Sequence, residues 1–359
     1  MAEKARGGER LTASEGLLLA READLHLLGS LANAARERRH GDRAYLINNR
    51  HLNYSNVCLA RCRFCAFARS PGAPDAYTLT PQEMEERGRR AAEEGAVELH
   101  IVGGLHPDLP LSYYLEMLRR LRQAAPAAAL KAFSAVEIAH LAARQGTSVR
   151  DVLAQMKEAG LAMLPGGGAE IFAPRVRRQL CPNKPDADAY LEVHRQAHHL
   201  GIPTNATMLY GHIETLEERV DHLMRLRALQ DETGGLLAFV PLAFSTARTE
   251  LAHLPGATGL DDLRTIALSR LVLDNVPHIK AYWVTLGPKV AQVALWYGAD
   301  DLDGTIGEEK VAHQAGAPSP SALFLDDLRA LILEAGRKPL LRDALYRPLE
   351  ATDGPAQAT

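Results

Sequence analysis

Cysteine is scarce in this chain, four among 359 residues, and that scarcity excludes a disulfide-stapled fold. Three of the four, Cys58, Cys62 and Cys65, share one short stretch, and Cys181 stands alone far downstream. Residues Met1 to Arg10 are charged, with neither an apolar core nor a small-residue cleavage site, which argues against export and for a reducing cytoplasm. Long apolar runs are missing. The most apolar window, Ala281 to Ala299, is interrupted by Gly287, Pro288, Lys289 and Gln292, so it reads as strand, turn and helix rather than a membrane span. Nor is there an excess of one charge. A formal net charge of −3 leaves no global field to favour nucleic acid or an anionic membrane. No G-x-G-x-x-G spacing follows the glycine pairs, and the Gly-Lys-Ser/Thr of a phosphate cradle is absent.

What the chain does have is a steady alternation of apolar strand-like runs and capped helices. Residues 12–40 read as one helix, opened by the capping pair Thr12 and Glu15. The strands expected next are His51–Val57, Val97–Val102, Ala129–Ser134, Leu161–Leu164, Pro203–Tyr210, Leu236–Phe244, Ile279–Leu286 and a weaker Asp300–Ile306. Between them lie helix starts such as Thr80-Pro81-Gln82-Glu83, Ser148, Thr215 with Glu218, the helix over 260–275, Pro288, and Ser319-Pro320 running to Gly336. With 47% apolar residues and near-continuous apolar strands, this pattern predicts an α/β fold of the (β/α)8 TIM-barrel type. An N-terminal helical extension is expected over 1–42, the barrel over 43–336, and a short C-terminal extension with a loose tail over 337–359. Chemistry in such barrels sits at the C-terminal ends of the strands.

The stretch Cys58-Leu-Ala-Arg-Cys62-Arg-Phe-Cys65 follows the first of those strands. Three thiolates from one loop can hold three irons of a cubane cluster and leave the fourth iron to another ligand, whereas such clusters ordinarily take four cysteines. Zinc is the competing reading, with His51 as an imaginable fourth ligand, but it normally wants a second Cys/His pair. Three unrelated core thiols, or a small electron carrier, are the remaining alternatives; carriers generally ligate every iron. Cys181 reads as a spectator on a distant helix-like stretch.

Other turns at the same expected rim are unusual. Gly103-Gly104-Leu105-His106-Pro107 follows the second strand, and its paired glycines let backbone come close to a ligand. Leu164-Pro165-Gly166-Gly167-Gly168-Ala169-Glu170 follows the fourth. Ser134 and Glu137 lie between them, Glu137 reading equally well as helix-start charge. An anionic substrate would need cations at this rim, and His106, His212, Arg248 and Lys289 each follow a strand; Asp303 comes from the eighth unit.

The cysteine loop with Phe64 before its last cysteine, together with Pro165-Gly-Gly-Gly-Ala-Glu170-Ile171-Phe172, Thr207-Met-Leu-Tyr-Gly-His-Ile-Glu-Thr215, Leu229-Gln-Asp-Glu-Thr-Gly-Gly235 and His278-Ile-Lys-Ala-Tyr-Trp283, resembles the menaquinone and deazaflavin branch of the radical S-adenosylmethionine (SAM) enzymes. Within that branch it is most similar to the aminofutalosine synthases. The resemblance spans about His51 to Tyr346. It implies a 4Fe-4S cluster on Cys58, Cys62 and Cys65, with SAM on the open iron as a consumed co-substrate. SAM would be contacted by Phe64, by Gly103 and Gly104 through backbone (Leu105 replacing the family's usual acid), and by Ser134, Glu137 and Glu170. It further implies addition of the 5′-deoxyadenosyl radical to 3-[(1-carboxyvinyl)oxy]benzoate, giving 6-amino-6-deoxyfutalosine, methionine and bicarbonate. A flavodoxin or ferredoxin is the implied electron donor. Dehypoxanthine futalosine cyclases and F0 synthase subunits share much of the pattern and bound what it implies.

Overall fold

The computed structural model describes residues 1–307, 309–317 and 319–349. Among them run ten strands: β1 (Arg43–Ile47), β2 (Asn49–Leu52), β3 (Glu98–Ile101), β4 (Ala129–Ala132), β5 (Leu161–Met163), β6 (Thr204–Tyr210), β7 (Leu236–Ala243), β8 (His278–Ile279), β9 (Asp301–Gly304) and β10 (Lys338–Leu341). All pair in parallel, in the orders β2-β3-β4-β5, β6-β7-β8 and β10-β1-β9. Parallel bridges between Leu164 and Thr204 and between Lys280 and Asp301 join the three sets. The ring closes because β1 and β2 follow one another, separated only by Asn48: β1 pairs with β9, and β2 with β3. The His51 N–H donates to the Ile306 carbonyl at 2.8 Å, which carries the closure up to the mouth. This is a TIM-type barrel. β6 and β7 are buried on both faces, as covered parallel strands require.

Local chemistry sets the helices. The capping boxes of Thr12/Glu15, Thr80/Glu83 and Thr215/Glu218 all form. The region expected as one helix over 12–40 is two, Ala13–Glu22 and Leu25–His40. Asp24 breaks it by accepting the Leu27 N–H at 2.9 Å, so an N-cap outweighs the continuous leucine stripe. A further short helix spans Ala2–Gly7. These N-terminal helices bury Leu28 and Leu31 against Ala267 and Leu271 of the Gly259–Val272 helix.

Two strand expectations, one helix and the C-terminal extension need correction. The first strand is not His51–Val57; pairing stops at Leu52, and β1 precedes it. The seventh ends at Ile279, and Trp283–Leu286 is a helical turn, anchored by the Trp283 indole donating to the Gly304 carbonyl at 2.9 Å. The helix expected from Ser319 spans only Leu325–Glu334. Lys338–Leu341, inside the expected C-terminal extension, is β10 and lies beside β1. The tail expected over 351–359 lies outside the described residues.

Candidate active site at the barrel mouth

The cysteine loop leaves the barrel after β2 and is tied down at both ends. Asn53 donates to the Val102 carbonyl at 3.1 Å, and Ser55 Oγ to the Tyr77 carbonyl at 2.9 Å. Across the loop's base the Cys58 N–H donates to the Arg69 carbonyl at 3.0 Å, and the Arg69 N–H to the Asn56 carbonyl at 2.7 Å. The loop therefore stands over the C-terminal ends of the strands. Cys58, Cys62 and Cys65 are free thiols and line one cavity of about 330 Å³. Cys58 Sγ accepts N–H groups from Ala60 at 3.4 Å and Leu105 at 3.3 Å.

Burial pushes the Cys62 thiol up to about 12 and raises Cys65 as well. A thiolate there needs a nearby cation, which bound iron supplies. Three sulfurs at one cavity, one of them already receiving N–H donors, fit a cluster with one uncommitted iron. Cys181 is not distant as the sequence implied. It is buried in the same apolar cluster as Cys62, Ala60, Leu105 and Val136, but it does not line the cavity.

The glycine turn after β3 is shaped by this loop. A Cβ on Gly104 would lie 2.1 Å from the Val57 carbonyl oxygen, so a side chain there would push the turn off the cysteine loop. Gly167 differs: a Cβ there meets only Ser134, at 3.8 Å, and its missing side chain leaves space in the cavity. The Glu137 carboxylate is occupied on both oxygens. Oε1 accepts from the Tyr54 hydroxyl at 2.7 Å and the Gly103 N–H at 3.1 Å, and Oε2 from the Ser134 N–H and hydroxyl at 2.7 and 2.6 Å. It thus fixes the glycine turn and starts the Ala135–Gln145 helix at once. Glu170 is held by Lys184, whose ammonium also lies 5.3 Å from the centre of the Phe64 ring.

Of the residues singled out from sequence, Phe64, Gly103, Gly104, Ser134, Glu137, Glu170 and Asp303 share the cavity with the three cysteines. The four rim cations do not line it. His106 turns back on its own loop, its Nδ1 accepting the Asp108 N–H at 3.0 Å. His212 is buried against Glu214 at 2.7 Å. Arg248 and Lys289 point to solvent. A residue that follows a strand is not thereby aimed inward, and loop conformation decided against all four.

The cations that do line the cavity come from within the strands. Register aligns His51 of β2, His100 of β3 and Lys131 of β4 in one row inside the barrel, the two imidazoles stacked 4.3 Å apart. Opposite them, Lys280 donates to Asp303 at 3.0 Å. Beneath the row, Lys131 pairs with Glu98. Burial drives both imidazoles down, His100 well below the ordinary range, so both are neutral at pH 7. Burial works against the Asp303 carboxylate, yet Lys280 and Lys131 hold it well below the usual range. Asn205 lines the same cavity, its Oδ1 buried and without a hydrogen-bond partner among the described residues. The missed signal was a lysine inside an apolar strand, Ala129-Leu-Lys131-Ala132, where a charge has no place without a task or a partner.

A barrel with a three-thiol loop over its mouth matches known proteins at two levels. The Radical SAM superfamily profile covers residues 52–226, and the CofH/MqnC C-terminal region covers 233–354. The methylornithine synthase structure superposes with a TM-score of 0.74, covering 94% of this chain and 96% of that one; at 19% identity the likeness is one of fold. The chain belongs to the radical SAM superfamily, in the branch that contains the aminodeoxyfutalosine synthases. It is 48% identical to the aminodeoxyfutalosine synthase of Thermus thermophilus, over 98% of this chain and 96% of that one. Against the Streptomyces coelicolor aminodeoxyfutalosine synthase it is 45% identical, over 99% and 95%. A 5-amino-6-(D-ribitylamino)uracil–L-tyrosine 4-hydroxyphenyl transferase from Methanopyrus kandleri is 41% identical, over 96% and 93%. Enzymes of this superfamily use a 4Fe-4S cluster and SAM. No helix among the described residues is long and apolar enough to cross a membrane.

Proposed function

We propose that this chain is an aminodeoxyfutalosine synthase, acting on 3-[(1-carboxyvinyl)oxy]benzoate in futalosine-pathway menaquinone biosynthesis. The observation that carries the reading is the 48% identity over 98% of the chain, a span that takes in the barrel and the cysteine loop. Cys58, Cys62 and Cys65 would hold the cluster, which when reduced would supply the one electron that breaks a sulfur–carbon bond of SAM, releasing methionine and the 5′-deoxyadenosyl radical that adds to the substrate's double bond. The chain's own residues have three tasks. Glu137 fixes the Gly103–Gly104 turn beside the cysteine loop by taking the Gly103 N–H, and the Ser55 carbonyl takes that of Gly104, so that the turn's carbonyl groups are what it offers SAM. Asn205, with its unpartnered oxygen, and Glu170 are the groups left to meet the nucleoside and amino-acid ends of SAM. Lys131 and Lys280, each with ammonium protons beyond those its carboxylate partner takes, receive the two substrate carboxylates. This replaces the rim cations expected from sequence. The barrel walls exclude water from the radical.

The reaction needs one electron from outside, for which flavodoxin or ferredoxin is the natural class, and the oxygen-sensitive cluster suits a cytoplasmic setting. The deciding experiment incubates reconstituted protein with SAM, dithionite and the carboxyvinyloxybenzoate. Mass spectrometry should find a product that retains the adenosine unit. Free 5′-deoxyadenosine with a cyclised dehypoxanthine futalosine would install the cyclase reading, and a tyrosine-derived adduct of the ribitylaminouracil would install the transferase one. Alanine at Cys58, Cys62 or Cys65 should abolish iron retention and turnover, whereas Cys181→Ala should keep both.

A further inference from the structure

The loop that carries the thiols has an outer side as well as an inner one. Arg61 and Arg63 flank Cys62, and both are exposed, as is Leu59 at 42% of its surface. Arg61 has a φ of 47°, a conformation that glycine adopts freely and side-chain-bearing residues rarely do. The Arg63 N–H donates to the Leu180 carbonyl at 2.9 Å, which brings the end of the Pro174–Leu180 helix, with exposed Arg178, beside the loop. The Glu250 N–H donates to the Arg63 carbonyl at 3.2 Å, and so brings in the segment bearing exposed Arg248. Arg63 forms an ion pair with Glu250 at 3.2 Å; no hydrogen bond or ion pair engages the Arg61, Arg178 and Arg248 guanidiniums among the described residues. On a chain with net charge −3, four arginines against one glutamate make a concentrated positive crest.

We propose that this crest, Leu59 with Arg61, Arg63, Arg178 and Arg248, is the docking surface for a small acidic protein that carries one electron. The proposal rests on the functional reading above, in which the three cysteines hold a cluster that must be reduced from outside. Tunnelling falls off steeply with distance, and Cys62 lies buried between the exposed Arg61 and Arg63, within one residue of the protein surface along the chain. A carrier seated here covers that stretch. Its acidic face meets unpaired guanidiniums, which steer encounter and set register, and Leu59 gives the contact an apolar point. One electron would leave the carrier for the cluster that Cys58, Cys62 and Cys65 would hold, with no proton moved and no bond made in the transfer.

The test compares the unmodified holoenzyme with R61E/R178E/R248E, whose retained iron content certifies the fold. Binding of an acidic flavodoxin and of an acidic ferredoxin is measured by calorimetry at low and moderate salt. At least one carrier should bind the unmodified protein, more tightly at low salt, and the triple variant should lose tenfold or more of that affinity along with its salt dependence. Turnover driven by dithionite should survive in the variant, while turnover driven by the reduced carrier falls by a similar factor. Equal carrier binding by the two proteins, or binding of neither carrier to the unmodified one, overturns the docking surface. Failure of the unmodified enzyme to cleave SAM under dithionite would instead strike the functional reading. If the glutamate variant loses iron, R61Q/R178Q/R248Q is read by the same criteria, with a smaller loss expected.

Discussion

Lysines in the interior of a barrel demand counter-charges, and Lys131 and Lys280 have theirs in Glu98 and Asp303. Burial costs an isolated ammonium several kcal/mol, and each paired carboxylate offsets that cost. That prepares the cavity floor to accept an anion without a large change in local charge. Lys280→Met should raise the KM for the dicarboxylate by about 10- to 100-fold, the equivalent of one charge-assisted hydrogen bond, and leave the KM for SAM unchanged in steady-state assays. Adding Asp303→Asn to that variant should recover stability lost to the orphaned carboxylate without recovering the KM. At this scale the sequence was legible where spacing itself is the chemistry, as with the three cysteines. It misled for His106, His212, Arg248 and Lys289, because a residue's position after a strand says nothing about the direction its side chain takes.

Turns and covering segments decide how elements meet the cavity. Glu309, Val311, Ala312 and Ala315 face it from the segment that holds the Val311–Gln314 helical turn, and His313 fastens that segment. Its Nδ1 lies 3.2 Å from the Glu309 carboxylate, and its Nε2 lies 3.1 Å from the Pro320 carbonyl. The hydrogen bond to Glu309 lifts the imidazole from 6.5 to about 9. A folded pKa above the unfolded one stabilises at low pH. The contribution is whole below about pH 6.5 and is lost as pH climbs through about 9. Amide protection factors over residues 309–317, with the intrinsic base-catalysed rate divided out, should therefore fall between those limits, and His313→Gln should remove that fall. Helix starts were readable here because Thr80, Thr215 and Thr12 carry their capping partners three residues on. The turn at Trp283 was not, since Ile279-Lys-Ala-Tyr-Trp-Val looks like a strand until the indole finds the Gly304 carbonyl.

The molecule as a whole depends on one seam. Arg342, just past β10, reaches Asp301 of β9 at 2.6 Å, both fully buried. Removing one partner of such a pair leaves a stranded charge, so Arg342→Met should cost about 3–5 kcal/mol in urea unfolding. Arg342→Met with Asp301→Asn should recover much of it. The eightfold alternation made the barrel readable from sequence, but β1 and β10 escaped notice. Each is only a few residues long, and each opens on a charged residue, Arg43 and Lys338, like the loops around them.

The place of β1 in the ring has a consequence for synthesis. Its neighbours are Asp301–Gly304 and Lys338–Leu341, so a strand made early waits with bare edges until nearly the entire polypeptide has emerged. Pairings so remote in sequence form slowly, and an uncovered edge invites association with other nascent chains. Chaperone demand in the cell, rather than the final stability of the enzyme, is therefore where a weakened β10 would first be felt.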